Sequence, residues 1–252
     1  MGALSSAELY LQHVEVSEDL PADDYCSRLA VMRSMVESGG LGFVSPVTVL
    51  VGENGVGKST LVEAIAVALG FNPEGGTVNF NFSTRPSHSV LCDHLRIRKG
   101  CRRRRDGFFL RAESFYNVAS NIDDLDADGG GPRVIDSYGG TSLHAQSHGE
   151  GFMALLENRF GGRGFYILDE PEAALSPMSV MRLMGHMRRL VDDESQFVVS
   201  THSPMIMALP GADVVLIDER GLARVDYRET EHYQVMRHFL EDPERMLCYL
   251  FG

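Results

Sequence analysis

Apolar residues fall along this chain in short, sharply bounded runs. PVTVLV at 46–51 ends at a glycine, FYIL at 165–168 follows a glycine-rich break, and QFVVST at 196–201 and VVLI at 214–217 stand between polar turns. Continuous runs of this length, rich in Val, Ile and Phe, predict strands buried on both faces. Between them the period lengthens to that of a helix. STLVEAIAVAL at 59–69 sets Leu61, Ile65, Ala68 and Leu69 on one face and stops at Gly70 ahead of Pro73. EGFMALLENR at 150–159 has the same pattern, and Ser176 followed by Pro177 reads as N-cap and first-turn proline of a helix reaching about Leu190. Four buried strands separated by helices predict an α/β fold with a mainly parallel sheet flanked by helices.

Other segments read differently. LRIR at 95–98 and FFLRAE at 108–113 flank the charged turn KGCRRRRDG, which predicts an antiparallel hairpin and, with the turn-rich stretch before it, a small β lobe over 75–115. Residues 117–142 are acidic and Gly-rich and are expected to form a mobile loop, leading into a helix to complete a segment over 117–160. TEHYQVMRHFLEDPERMLCYL at the end predicts two short helices broken at Asp242 and Pro243. No 20-to-50-residue repeat and no heptad run is visible, so residues 1–252 read as one domain.

Composition narrows the classes. At 44% hydrophobic residues the chain can bury a sizeable core, which excludes disorder. A net charge of −12 opposes a surface that grips nucleic acid or anionic lipid all over; the one basic cluster, Arg102 to Arg105, reads as a solvated hairpin tip, with DNA contact as its alternative. Cys26, Cys92, Cys101 and Cys248 form no CxxC pair, so neither a zinc ribbon nor a disulfide framework is readable, and a reducing cytoplasm fits. No apolar run of 18 residues and no secretion signal is present, so no membrane insertion is expected. MGALSS matches a myristoylation pattern but has no second anchoring signal beside it. Met178, Met181, Met184 and Met187 recur every three residues and read as core or interface filler, while His232 and His238, six apart, do not share a helical face as zinc ligands would.

Two strings carry chemistry. GENGVGKST at 52–60 fits G-x-x-x-x-G-K-S/T and sits between a predicted strand and a predicted helix. Glycines let such a backbone ring its N–H groups around a phosphate at the positive end of the helix, so Gly52, Glu53, Asn54, Gly55, Val56, Gly57, Lys58, Ser59 and Thr60 form a candidate cradle. Lys58 can reach β and γ phosphates, and the Ser59 hydroxyl can ligate Mg²⁺. In FYILDE at 165–170 an apolar strand delivers two carboxylates to its C-terminal end, the edge at which parallel sheets bind ligands. Asp169 would hold Mg²⁺ through water, and Glu170 could take a proton from a water attacking the γ-phosphate; alone, the pair would read as an acidic turn.

Taken with QSHGEG at 146–151, ILDEPEAALSP at 167–177 and VVSTHSP at 198–204, these strings resemble the ordered motifs of ABC-type ATPases: Walker A, signature, Walker B with D-loop, and switch histidine. The separations agree, with 89 residues from Lys58 to Ser147, 22 from there to Asp169, and 32 from Glu170 to His202. The chain is similar, more closely, to small stand-alone ATPases related to the SMC and double-strand-break-repair group, which share a Ser-His-Gly-Glu style of signature. The resemblance implies a P-loop NTPase fold with a short helical signature lobe, ATP and Mg²⁺ as cofactors, and ATP hydrolysis in an ATP-dependent homodimer with itself as partner. In that arrangement Ser147, Gly149 and Glu150 of one subunit face the γ-phosphate held by the other, although His148 stands where a glycine is usual. Without the resemblance, SHGEG is an N-cap turn.

His202 would contact the γ-phosphate and the attacking water, and Lys58, Glu170 and His202 are the implied catalytic residues. Glu113 falls at the Q-loop and is a candidate metal ligand beside Ser59 and Asp169; an ordinary strand-end acid is the alternative. Ser176, at a D-loop position often held by aspartate, reads as a helix cap, and Tyr10 and Tyr25 are both candidates to stack on adenine. The expected role is a soluble motor or switch acting on an unidentified protein partner. The alternatives are the nucleotide-binding subunit of a membrane transporter and a nucleic-acid repair or defence ATPase, the latter with DNA as partner.

Overall fold

The computed structural model of the protein describes residues 2–17, 25–78, 90–127 and 133–251. Along the chain come β1 (Leu11–Val16), α1 (Ala30–Ser38), β2 (Leu41–Gly42), β3 (Val47–Val51), α2 (Lys58–Ala68), β4 (Leu95–Lys99), β5 (Asp106–Arg111), α3 (Phe115–Ala127) and α4 (His148–Arg159). Then follow β6 (Gly164–Asp169), α5 (Pro177–Asp192), β7 (Gln196–Ser200), α6 (Pro204–Met207), β8 (Asp213–Asp218), β9 (Gly221–Arg224), α7 (Glu231–Glu241) and α8 (Pro243–Phe251).

The four apolar runs become the centre of a six-stranded sheet ordered β5-β6-β7-β3-β8-β9, parallel except for β9, which returns antiparallel on β8. Every residue of β3, β6 and β7 is buried. Successive residues of a strand point to opposite faces, so a strand covered on both sides must be apolar at both parities. β6 shows this: Phe165 and Ile167 enter one core with Leu61 and Ile65 of α2 and Met32 of α1, whereas Tyr166 and Leu168 enter the other with Phe115 of α3, Phe152 of α4 and Leu183 and Met187 of α5. Two layers of helix thus fix the C-terminal edge of the sheet, where the motif residues lie.

The expected hairpin over LRIR and FFLRAE does not form. β4 pairs antiparallel with β1 in a separate sheet ordered β2-β1-β4, while β5 joins the main sheet parallel to β6, Arg111 opposite Asp169. The physical reason is in β5 itself: Phe108, Phe109 and Leu110 are all fully buried, which a hairpin with a solvent face cannot provide. The small antiparallel sheet therefore exists but is built mainly from the N-terminal region, and residues 79–89 of the expected lobe lie outside the described residues. Arg102 to Arg105 consequently form no hairpin tip. Arg102 bridges Glu8 at 2.7 Å and Glu194 at 2.9 Å, and Arg104 lies over the Phe71 ring at 4.5 Å.

The first part of the expected loop over 117–142, as far as Ala127, is helix α3. Phe115, Val118, Ala119 and Ile122 are buried at i, i+3, i+4 and i+7, a stripe that the surrounding acids obscure in the sequence. Those acids have local work: Asp126 accepts from the Val134 and Ile135 N–H groups, and Asp123 accepts from the Ser142 hydroxyl. Residues 128–132 lie outside the described residues. The methionine stripe divides, with Met187 in the core and Met178 and Met181 exposed. The last two helices break as expected and bury none of their residues, and among the described residues no helix is long and apolar enough to cross a membrane.

Candidate functional site

β3 ends at Val51, and the chain turns through 52–57 into α2 along a path only glycine permits at two places. Gly57 has a φ of +100°, and a Cβ there would meet Val31 Cγ1 at 2.7 Å; at Gly52 a Cβ would meet the Ile217 carbonyl oxygen at 2.3 Å. The turn brings Lys58 back over itself, so that its ammonium donates to the carbonyls of Gly52 at 2.8 Å and Glu53 at 2.9 Å. Burial pulls the Lys58 pKa down, against the upward pull of the Glu170, Asp169 and Glu172 carboxylates. A buried cation beside the positive end of a helix is an oxyanion receptor.

β6 brings Asp169 to this loop. The Ser59 hydroxyl donates to Asp169 Oδ1 at 3.1 Å, and Arg111 Nε on neighbouring β5 lies 3.4 Å from Oδ2, its Nη1 bound to Glu63 at 2.6 Å. Asp169 is 5% exposed, and burial pushes its carboxyl up to about 6 despite Arg111 and Ser59. The sign follows directly. Between about pH 4 and pH 6 the folded protein keeps a proton that the unfolded chain has released, so this group's contribution to stability falls as pH rises through that window. Asp169→Asn is expected to stabilise the magnesium- and nucleotide-free protein at pH 7.5 by about 1–3 kcal/mol, the gain closing by about pH 4, as read from urea midpoints across pH.

Glu170 follows in the left-handed region, φ 50° and ψ 50°, a conformation that strains a non-glycine residue by about 1–2 kcal/mol. Its N–H donates to the Ser200 carbonyl at 2.9 Å, continuing the β6–β7 pairing. Its carboxylate lies 3.5 Å from His202 Nε2, and it shares with Tyr25, Lys58, Ser59 and Thr60 a cavity of about 140 Å³ over the loop. His202 sits just past β7, where Glu172 Oε1 accepts from the Thr201 hydroxyl at 2.7 Å and the His202 N–H at 2.6 Å. His202 Nδ1 faces His232 Nε2 at 2.8 Å.

Lys58, Ser59, Asp169, Glu170 and His202 are thus brought to one sheet edge. Ser147, Gly149 and Glu150 are not: Ser147 caps α4, accepting from the Glu150 N–H at 3.4 Å, and the Glu150 carboxylate accepts in return from the Ser147 N–H at 3.1 Å. His148 stacks on Phe115 with centroids 5.3 Å apart. Glu113 turns to solvent, 86% exposed and 3.8 Å from Arg111, and Arg111 is the residue of that strand which meets Asp169. Ser176 caps α5, accepting from the Ser179 N–H at 3.3 Å. Of the two tyrosines, Tyr25 lines the loop cavity with its hydroxyl 3.3 Å from Thr60 Oγ1, whereas Tyr10 is buried elsewhere, donating to the Glu194 carbonyl at 2.9 Å.

Arg111, Glu172 and His232 escape a reading of the sequence. Arg111 was legible only through the register of β5 on β6, and His232 only through a partner on another element, since its spacing to His238 says nothing about His202. Among the described residues no cluster of three or more His, Cys, Asp or Glu is set to hold a metal. The donors at hand are one carboxylate and one hydroxyl, a set that suits Mg²⁺, which keeps its waters and completes its shell with phosphate oxygens.

A family model for an AAA domain matches residues 36–105, the segment that holds β3, the loop and α2. No curated protein sequence matches the chain. Among solved structures, an ATP-binding cassette of an ABC transporter is similar with a TM-score of 0.52 and 13% identity, over 96% of this chain and 99% of that one. A metal-chelate type ABC transporter in an inward-facing conformation gives 0.50 and 14%, over 90% and 87%. The SMC head domain from Thermotoga maritima gives 0.41 and 17%, over 74% and 92%. The loop, the carboxylate-bearing strand and the sheet order lead to one conclusion: this chain is an α/β P-loop protein with the fold of the ABC-type ATPases.

Proposed function

We propose that the protein hydrolyses ATP to ADP and phosphate at this edge, in a head-to-tail homodimer that forms around the nucleotide. The observation that carries the reading is the Ser59–Asp169 hydrogen bond of 3.1 Å, which joins the loop to the carboxylate strand beside a buried lysine, with Glu170 lining the same cavity. Ser59 and Asp169 would hold Mg²⁺, which when bound supplies positive charge to the β and γ phosphate oxygens. Lys58 exchanges its two carbonyl partners for those phosphates. Glu170 accepts a proton from the attacking water as the water oxygen bonds to the γ phosphorus and the bond to the ADP oxygen breaks. His202 Nε2 donates to the γ-phosphate. Ser147 and the Gly149 N–H would come from the second subunit with Glu150 holding their turn, since in one chain they do not line the cavity; Glu113 keeps the Q-loop place that the resemblance gives it.

The test is steady-state phosphate release with Mg-ATP, with and without double-stranded DNA, together with light scattering of the protein in ATP. Hydrolysis with a nucleotide-dependent doubling of mass is expected. Absence of nucleotide binding would sink the reading, stimulation by DNA would assign a repair or defence motor, and indifference to DNA would favour a switch read by a protein partner. A further expectation concerns Tyr25. Tyr25→Ala should weaken ATP binding by about tenfold, the worth of one base–aromatic stack, and leave tripolyphosphate binding unchanged, as titration calorimetry would show. Tyr10→Phe should change neither.

A further inference from the structure

His202 is held from behind by a second imidazole. His232 Nε2 lies 2.8 Å from His202 Nδ1, with ring centroids 5.0 Å apart and inclined at 47°. His232 occupies the first turn of α7, and that turn is fixed: Thr230, 1% exposed, caps the helix by accepting from the Tyr233 N–H at 3.4 Å and donates to the Tyr227 carbonyl at 2.6 Å. Thr230 also meets Met207 of α6, the short helix that begins two residues after His202. Both rings are therefore carried by elements locked to each other.

A contact between two ring nitrogens uses one proton, and its ownership decides what His202 presents to the site. If His202 Nδ1 donated, a neutral His202 would have a bare Nε2, and that lone pair would face the Glu170 carboxylate across 3.5 Å, acceptor against acceptor. If His232 Nε2 donates, His202 carries its proton on Nε2, pointing at the carboxylate. That Nε2 is buried and makes no hydrogen bond of its own among the described residues. Burial, then His202 and Lys58, pull the His232 pKa down, consistent with a neutral ring that has one proton to give.

We propose that His232 is the positioning residue of His202: its Nε2–H donates to Nδ1, locks the Nε2–H form of His202, and aims that N–H at Glu170 Oε1 in the nucleotide-free protein. The extension to the γ-phosphate rests on the ATPase reading above. The locking itself does not.

Two measurements separate the two. Nitrogen-15 spectra of the histidine-labelled, nucleotide-free full chain, with His202 assigned through His202→Gln, are expected to show His202 protonated on Nε2 alone. His232→Phe should turn this into a mixture of tautomers. A wild-type His202 protonated on Nδ1, alone or together with Nε2, overturns the proposal whatever the enzyme does. In phosphate release, His232→Phe is expected to lower kcat by about tenfold or more while KM for ATP moves by less than about threefold, the pattern of a lost outer-shell partner. His232→Gln, whose amide places an N–H near the same point, is expected to recover most of that loss; a glutamine variant that folds yet is no better than phenylalanine overturns the proposal. If wild-type protein releases no phosphate, the ATPase reading fails and the spectra alone decide the locking.

Discussion

Glu170→Gln is expected to lower steady-state phosphate release by at least about 10²-fold, the range for removing a general base, while ATP still binds. Glutamine keeps the shape and the left-handed backbone of Glu170, including its N–H bond to the Ser200 carbonyl, so the loop and the β6–β7 edge stay as they are. What it lacks is a basic oxygen for the proton of the attacking water. The substitution also replaces a carboxylate 3.5 Å from His202 Nε2 by a neutral amide, which leaves the histidine geometry intact but removes the charge that attracts its N–H. Because the bound state forms and does not turn over, the variant is expected to accumulate as a dimer in ATP. Phosphate-release kinetics and light scattering on the same preparation check both halves, and an undiminished rate would remove Glu170 from the chemistry.

Lys58→Ala is expected to weaken nucleotide binding by about 10²-fold or more, since two charge-assisted hydrogen bonds to phosphate at about 1.5–3 kcal/mol each are lost. The resting structure adds a second effect. The ammonium bridges the Gly52 and Glu53 carbonyls, so alanine leaves both without their donor at the point where the turn is most constrained by glycine. Arginine should not rescue it, because a planar guanidinium is wider than the ammonium of Lys58, a residue only 4% exposed. Titration calorimetry of Lys58→Ala and Lys58→Arg with a non-hydrolysable ATP analogue is the check, and normal binding by either would contradict the role given to this lysine.

How much of this was visible beforehand depends on whether the information is local. The phosphate loop is legible because strand, glycines, lysine and helix are contiguous, and each residue type is required by a neighbour a few positions away. The central strands are legible because burial on both faces leaves an unbroken apolar run. Other features depend on which strand lies beside which. β4 and β5 look like two arms of one hairpin until β1 takes the first and β6 takes the second. Arg111 meets Asp169 only through that pairing, and what separates Tyr25 from Tyr10 is a distant partner, Thr60 beside the loop for the one and the Glu194 carbonyl for the other. Helix α3 was hidden for a different reason: its acids suggested a solvated loop, and its four buried positions are the part that decides.

The place of β3 between β7 and β8 has a consequence for how the protein is made. Its residues leave the ribosome before both of its neighbours, and the nearer of these, β7, lies roughly 150 residues downstream, a delay of about 7–30 s at ordinary synthesis rates. Over that interval VTVLV is a β-branched strand with two open edges and no charge of its own, the kind of segment that templates aggregation. α2 can cover one of its faces early, because it follows directly in the chain, but the edges wait for the C-terminal half. Among the described strands, the one that carries the phosphate loop is therefore also the one whose edges wait longest for their partners during synthesis.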